Sequence, residues 1–263
     1  LGTMYIVYIL IFALLYPKKA PLSETREPLS LLVLWNVLKS ALPAVLLILA
    51  VLGSIFAGIT TVTEASGVGA LGAMILAGAN KKLNFTVIRE VVSGTFNVTG
   101  YIFGIFIGAT CFALVLRGLG GDQLIETALT GLPFGAYGII FFILTVVFLL
   151  GFFLDWIEIT LIILPLLSPV VAGLDIAIPD FGVIDQPILI WFLVLVAVAL
   201  QTSFLTPPVG FAIFYLRGVA PKTVQLIHIY KGVIPFIILQ LIGLGIVVMW
   251  PELVLWLPSV AYN

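Results

Sequence analysis

Long stretches that are apolar on every side dominate this chain, at roughly 1–16, 41–58, 67–80, 94–116, 136–151, 159–173, 187–216 and 232–250. The pieces between them are short, polar or punctuated by Gly and Pro. A helix that is apolar all round has no face to turn to water, so its solvent is lipid or other protein. A membrane span needs about 20 such residues. Only 9% of the residues are charged and the mean hydropathy is +1.31, whereas soluble domains carry about 25% charge. Lipid tolerates only helices and closed barrels. Barrel strands alternate polar and apolar residues, and these runs do not. The expected fold is therefore an all-α, polytopic membrane protein.

Charge placement orients it. Ten of the eleven basic residues fall in three clusters: Lys18, Lys19, Arg26 and Lys39; Lys81, Lys82 and Arg89; Arg217, Lys222 and Lys231. The positive-inside rule puts all three on the cytoplasmic side. The connection 174–186 holds Asp175, Asp180 and Asp185 and no base, and is placed outside. Residues 41–80 then make two crossings that turn near Ile59–Ser66, 94–116 goes out, 187–216 returns and 232–250 goes out again. The stretch 136–173 begins and ends outside. It is either two full crossings or a re-entrant hairpin with its tip at Gly151–Glu158. A cytoplasmic turn should attract Lys or Arg, and this tip is acidic and aromatic without either. The hairpin is favoured, since irregular backbone is tolerated at membrane depth when it lines a cavity. Residues 1–16 read as the end of a preceding spanning helix of a longer protein, and 17–40 as a cytoplasmic connection and arm.

Two places can carry chemistry. At the tip, Asp155 and Glu158 have no Lys or Arg between Arg117 and Arg217 to pair with. Each carboxylate in mid-membrane costs about 2.5–3.5 kcal/mol on insertion scales. The open alternatives are a bound Na⁺ or proton, a tip that reaches water, and an N-cap role for Asp155. The second place is Gln201-Thr202-Ser203-Phe204-Leu205-Thr206-Pro207-Pro208-Val209-Gly210, in the middle of 187–216. Pro207 and Pro208 remove two backbone donors and push Thr206 out of the helical region. The choice is between a proline kink and a broken helix. A broken helix frees carbonyls, and with the hydroxyls of Thr202, Ser203 and Thr206 these are hard oxygen ligands suited to Na⁺. Broken helices near the midplane point to transporter sites. A third segment, Thr61-Val62-Thr63-Glu64, has capping-box spacing and reads as a helix start, with ligand roles for Thr63 and Glu64 the minor alternative. Gly67, Gly69 and Gly72, and Gly100, Gly104 and Gly108, read as packing seams.

Other chemistries lack their residues. The net charge of −1 does not suit nucleic-acid binding. No Gly-rich segment ends in Gly-Lys-Ser/Thr, so nothing points to ATP hydrolysis. His228 and Cys111 are each the sole residue of their type, and no catalytic set is expected.

Three stretches resemble one family. Phe56-Ala57-Gly58-Ile59-Thr60-Thr61-Val62-Thr63-Glu64-Ala65, Gly151 to Pro165, and Leu205-Thr206-Pro207-Pro208-Val209-Gly210 are similar, in order and spacing, to segments of the large permease subunit of TRAP transporters, the tripartite ATP-independent periplasmic carriers of the DctM type. The resemblance implies two inverted repeats, each with a hairpin and a broken helix. This chain would hold the second repeat, 41–263, with its hairpin at about 136–173 and its broken helix at about 187–216. It also implies Na⁺ as coupling ion with no other cofactor, an elevator-like movement, a small membrane partner subunit and a periplasmic binding protein. The setting would be a bacterial inner membrane and the cargo a small organic anion, usually a carboxylate. The expected cation site is Asp155, Glu158, Thr202, Ser203, Thr206 and Gly210. The expected solute site is Trp156, Thr206, Pro207 and Pro208. Two positions depart from the family pattern: Trp156 stands where many members have Pro, and Ala199 where many have Asn. The competing readings are another elevator-type carrier or antiporter that needs no binding protein, and a non-transporting membrane scaffold or intramembrane enzyme.

Overall fold

The computed structural model describes residues 1–17, 30–178, 185–206, 210–221 and 224–261. Among them the regular elements are all helices: α1 (Gly2–Leu15), α2 (Leu31–Phe56), α3 (Val62–Ala79), α4 (Phe85–Gly118), α5 (Gly121–Thr130), α6 (Gly135–Leu150), α7 (Trp156–Ala172), α8 (Pro187–Ser203), α9 (Phe211–Val219), α10 (Leu226–Met249) and α11 (Glu252–Ala261). Helices α2, α3, α4 and α10 are long and apolar enough to cross a membrane, and α5 with α6 forms a bent pair at 120° that would add a fifth span. The chain is an all-α, polytopic membrane protein. Lys18, Lys19, Arg26, Asp180 and Lys222 lie outside the described residues.

Residues 12–100 form one compact unit, and residues 1–11 with 101–263 another. In the first unit α2 and α3 pack together. A Cβ on Gly72 would collide with Leu47 Cδ1, and one on Gly69 would lie 3.3 Å from Val51 Cγ2, so these glycines let the helices approach. The seam expected there is present at Gly69 and Gly72, whereas a Cβ on Gly67 would meet nothing within 4 Å. The turn between the helices uses Gly58 at φ +66. Helix α3 starts at the predicted capping box: the Thr61 N–H donates to Glu64 Oε2 at 2.8 Å, and the Glu64 N–H to Thr61 Oγ1 at 3.3 Å. Helix α2 begins at Leu31, ten residues before the apolar stretch recognised in the sequence, because Ser30 caps it and Leu31 to Lys39 are all residues a helix accepts.

The second unit is built around α8. Trp191, Phe192, Leu195, Val196 and Ala199 are almost fully buried, and α6, α7, α10 and α11 all pack against this helix. The Trp191 indole N–H donates to the Val247 carbonyl at 2.9 Å, and its ring meets Tyr137 edge-on. Helices α6 and α7 are joined by the turn at 151–155. Helix α5 touches both α6 and the Leu164–Ala172 part of α7, so the pair leaves from and returns to the same end. Inside α7, Ile159–Ile163 widens into a π turn. Pro165 explains it, since a proline cannot donate to the carbonyl four residues back. Helix α9 rests on α10 through Ile213, Ile229 and Val233. Tyr5 and Tyr8 of α1 lie edge-on to Phe236 of α10.

Two features differ from the sequence reading. The piece between 117 and 135 contains α5, whose Leu129 is buried while Asp122 and Glu126 face out. Around the positions where Cβ atoms on Gly100, Gly104 and Gly108 would sit, nothing lies within 4 Å, so that stripe has no packing partner among the described residues.

The burial of Trp191 generates a measurable expectation. Trp191→Phe should lose about 1–3 kcal/mol, from the unpaired Val247 carbonyl and the space the smaller ring leaves. Trp191→Ala should lose about 3–5 kcal/mol by leaving a cavity. Thermal unfolding of the detergent-solubilised protein would rank the two, and equal losses would deny Trp191 its central place.

Candidate functional site

The chain leaves helical geometry at the two places the sequence marks. Helix α6 ends in tight turns: the Gly151 N–H reaches the Val147 carbonyl, and those of Phe153 and Leu154 both reach Leu150. Asp155 is extended at φ −74, ψ 156 and caps α7. Its Oδ1 accepts from the Trp156 N–H at 2.8 Å, while Glu158 Oε2 accepts from the Asp155 N–H at 3.2 Å. The predicted N-cap is therefore present, and Glu158 completes it as a capping box.

Helix α8 stops at Ser203. Beyond it the Leu205 and Thr206 N–H groups turn back onto the Thr202 and Ser203 carbonyls, three residues away rather than four. Gly210 donates to the Thr206 carbonyl and Ala212 to the Phe204 carbonyl, tying α9 back to the end of α8. The helix is broken, not merely kinked. Pro207 and Pro208 lie outside the described residues. Because Leu205 bonds Thr202, the Gln201 carbonyl loses its place in the ladder; the Gln240 Nε2 donates to it at 3.5 Å. Three hydroxyls work locally: Thr202 donates to the Ala199 carbonyl, Ser203 to Leu200 and Thr206 to Thr202. Their protons are committed, so what their oxygens keep is acceptor capacity.

The tip and the break meet. A Cβ on Gly151 would sit 2.8 Å from Ser203 Cβ, a separation only glycine permits. Beside this contact lies a cavity of about 620 Å³ lined by Asp155 and Trp156 from the tip, Gln201, Phe204 and Leu205 from the break, and Tyr5, Ala212, Tyr215 and Gln240 around them. Of the residues singled out from the sequence, Asp155 and Trp156 line it. Thr202 is fully buried beneath the break, Ser203 lies against Gly151, and Thr206 and Gly210 hold the break together. Glu158 belongs to the cap. Thr61, Thr63 and Glu64 lie in the unit of residues 12–100 and form the start of α3. Gln201, Gln240, Tyr5 and Tyr215 were not expected. Gln240 did carry a signal: it is the only polar side chain between Lys231 and Trp250. Among the described residues, the cavity wall contains one acid and no base, and there is no cluster of three or more His, Cys, Asp or Glu that could bind a metal.

The Gly151–Ser203 contact can be tested by a double-mutant cycle. Gly151→Ala should destabilise the protein by about 1–3 kcal/mol through overpacking. Ser203→Gly removes the opposing Cβ and should relieve most of that loss, whereas Ser203→Ala keeps the Cβ and should not. Thermal unfolding in detergent of the three single variants and the two double variants reads the coupling, and strict additivity would show that the tip and the break do not touch.

Comparison with known proteins places the arrangement. Residues 1–253 match the family described as "Tripartite ATP-independent periplasmic transporter, DctM component". The sialic acid TRAP transporter large permease protein SiaM of Vibrio cholerae is 25% identical over 84% of this chain and 49% of its own length. The ectoine/5-hydroxyectoine TRAP transporter large permease protein UehC of Ruegeria pomeroyi is 26% identical over 81% of this chain and 47% of its own. The C4-dicarboxylate TRAP transporter large permease protein DctM of Rhodobacter capsulatus is 24% identical over 89% and 50%. The chain spans about half the length of the curated relatives it matches.

Proposed function

We propose that this chain, which belongs to the DctM component family of tripartite ATP-independent periplasmic transporters, is part of the large permease of a Na⁺-coupled importer of a small organic anion. One observation carries the reading: the hairpin tip and the helix break converge on a single cavity whose only charged side chain among the described residues is Asp155. A half-buried acid with no base beside it suits a cation. Hard oxygens suit Na⁺, and Asp155 and Gln201 on the cavity wall can supply them.

In this reading Asp155 binds the ion from the tip. Thr202, Ser203, Thr206 and Gly210 hold the backbone that completes the shell, and Glu158 fixes the orientation of Asp155. Trp156 and the segment Thr206-Pro207-Pro208 contact the solute. The re-entrant hairpin α6–α7 and the broken helix α8–α9 move together, as in an elevator, to expose the cavity to each side in turn. The partners are a small membrane subunit and a periplasmic binding protein, and the setting is a bacterial inner membrane. The names of matched relatives span sialic acid, isethionate, ectoine and C4-dicarboxylate, so a carboxylate is the favoured class of cargo rather than a single compound.

Asp155→Asn and Thr206→Val are the decisive variants. In proteoliposomes containing the complete transporter, each should lower uptake driven by a Na⁺ gradient by at least about tenfold, the effect of losing a charged or hydrogen-bonding ligand. Unchanged Na⁺-dependent uptake in both would sink the proposed site.

A further inference from the structure

A second space adjoins the cavity. It holds about 450 Å³ and lies between α7 and α8, against Thr160, Leu164, Leu193, Val196, Ala197 and Leu200. Trp156, Gln201 and Phe204 line both spaces, so these three residues stand between them. Gln201 and Phe204 belong to the end of α8, whereas Trp156 is the first residue of α7 and comes from the hairpin tip. The two spaces differ in chemistry. The wall of the first includes Asp155, Gln201 and Tyr215. Among the described residues, Thr160 is the one polar side chain found on the second wall alone, and its hydroxyl is spent, donating to the Trp156 carbonyl at 2.7 Å. The same bond helps to fix Trp156. Its N–H donates to Asp155 Oδ1 at 2.8 Å, and its carbonyl also accepts from the Ile159 N–H. With the peptide groups on both sides held, the direction of the Cα–Cβ bond is held too. The indole beyond it is large and stiff, with two side-chain torsions. It is 46% exposed, so it borders open space and is not wedged in the core.

We propose that Trp156 is a partition that limits the size and polarity of the cargo: it confines the solute to the cavity beside Asp155 and closes off the apolar space between α7 and α8. This rests on the transport reading above and deepens it. The first space suits a compact, polar anion. The second would reward an apolar tail, since burying apolar surface is worth about 25 cal/mol per Å². It rejects charge, because its one hydroxyl proton is already committed and nothing else there pairs with an ion. Held at the boundary, the indole denies the tail that favourable burial. Without it the two spaces join, and an anion could lay its hydrocarbon chain along Leu164, Val196 and Leu200 while its charged end stays beside Asp155. Trp156 therefore discriminates by excluding the wrong solute as well as by touching the right one.

The complete transporter in proteoliposomes is treated with a membrane-impermeant anionic methanethiosulfonate, which can approach only through water, and modification is read at the introduced cysteine by peptide mass spectrometry. Ala212→Cys, on the first space, should react with either residue at 156. Ala197→Cys, on the second, should react slowly behind Trp156 and at least about tenfold faster in the Trp156→Ala background, because thiol reactivity follows access. Ala199→Cys, at a position 1% exposed, should stay unreactive in both, so unfolding cannot pass for opening. If Trp156→Ala does expose it, Trp156→Val is read in its place. With Na⁺ present, hexanoate should protect Ala197→Cys in the Trp156→Ala protein at least about tenfold better than acetate, the gain from burying its longer chain. Equal reactivity of Ala197→Cys with and without the indole, or no advantage for hexanoate, overturns the partition and leaves the cation site standing. An unreactive Ala212→Cys would mean that the cavity does not open to water; that is the failure of the transport reading, and the partition falls with it.

Discussion

Inside a lipid bilayer no water stands ready to satisfy a backbone group, so each departure from helix must be compensated by the protein itself. The structure makes two such departures side by side, after Leu150 and after Ser203. The compensation comes from short polar side chains. Asp155 and Glu158 accept from the first N–H groups at the tip. Thr202, Ser203 and Thr206 donate to carbonyls at the end of α8, and Gln240 reaches across from α10 for another. These choices have an electrostatic result. Carboxylates that cap and hydroxyls whose protons are spent present oxygen lone pairs to whatever lies next to them. Stabilising the breaks thus turns their surroundings into a cluster of acceptors, the kind of environment a small hard cation completes.

The proximity of the two breaks depends on a second constraint, steric rather than polar. Gly151 is the first residue after α6, and any side chain there would collide with Ser203. The core that sets this approach is the inner face of α8, where Trp191, Phe192, Leu195 and Val196 lock it against its neighbours. The packing is close where the site needs fixed geometry. By contrast, the helices of residues 12–100 bury almost none of their span-length apolar windows within this chain. Their large side chains, such as Leu46, Ile48 and Leu49, suit contact with lipid or with further protein.

Both breaks were legible in the sequence because their residues act locally. Pro207 and Pro208 cannot continue a helix whatever surrounds them, and Thr61-x-x-Glu64 and Asp155-x-x-Glu158 cap within a single turn. The spans were legible because lipid imposes a length. What escaped was set by distance or by scale. Helix α5 is too short and too mixed in polarity for a hydropathy argument, although its Leu129 reaches the core. The Gln201–Gln240 pairing joins residues 39 apart in the chain, and no local pattern announces it. Gly100, Gly104 and Gly108 are the opposite case: their spacing suggested a seam, but a small residue permits a close approach without supplying the neighbour, and none stands there among the described residues.

The charge count in the cavity has a consequence for coupling. With Asp155 as the only charged group among the described residues of the wall, an anionic solute of the kind proposed, entering alone, would add a second negative charge in a medium of low polarity, where like charges repel strongly. A cation entering alone is attracted by Asp155 but leaves the anion's place empty. With both present, the ion faces two negative partners and the repulsion between them is screened at its source. Ion and solute must then strengthen each other's binding by the same factor, since linkage between two ligands is reciprocal. A site with a lysine or arginine in the wall would hold the anion without any ion.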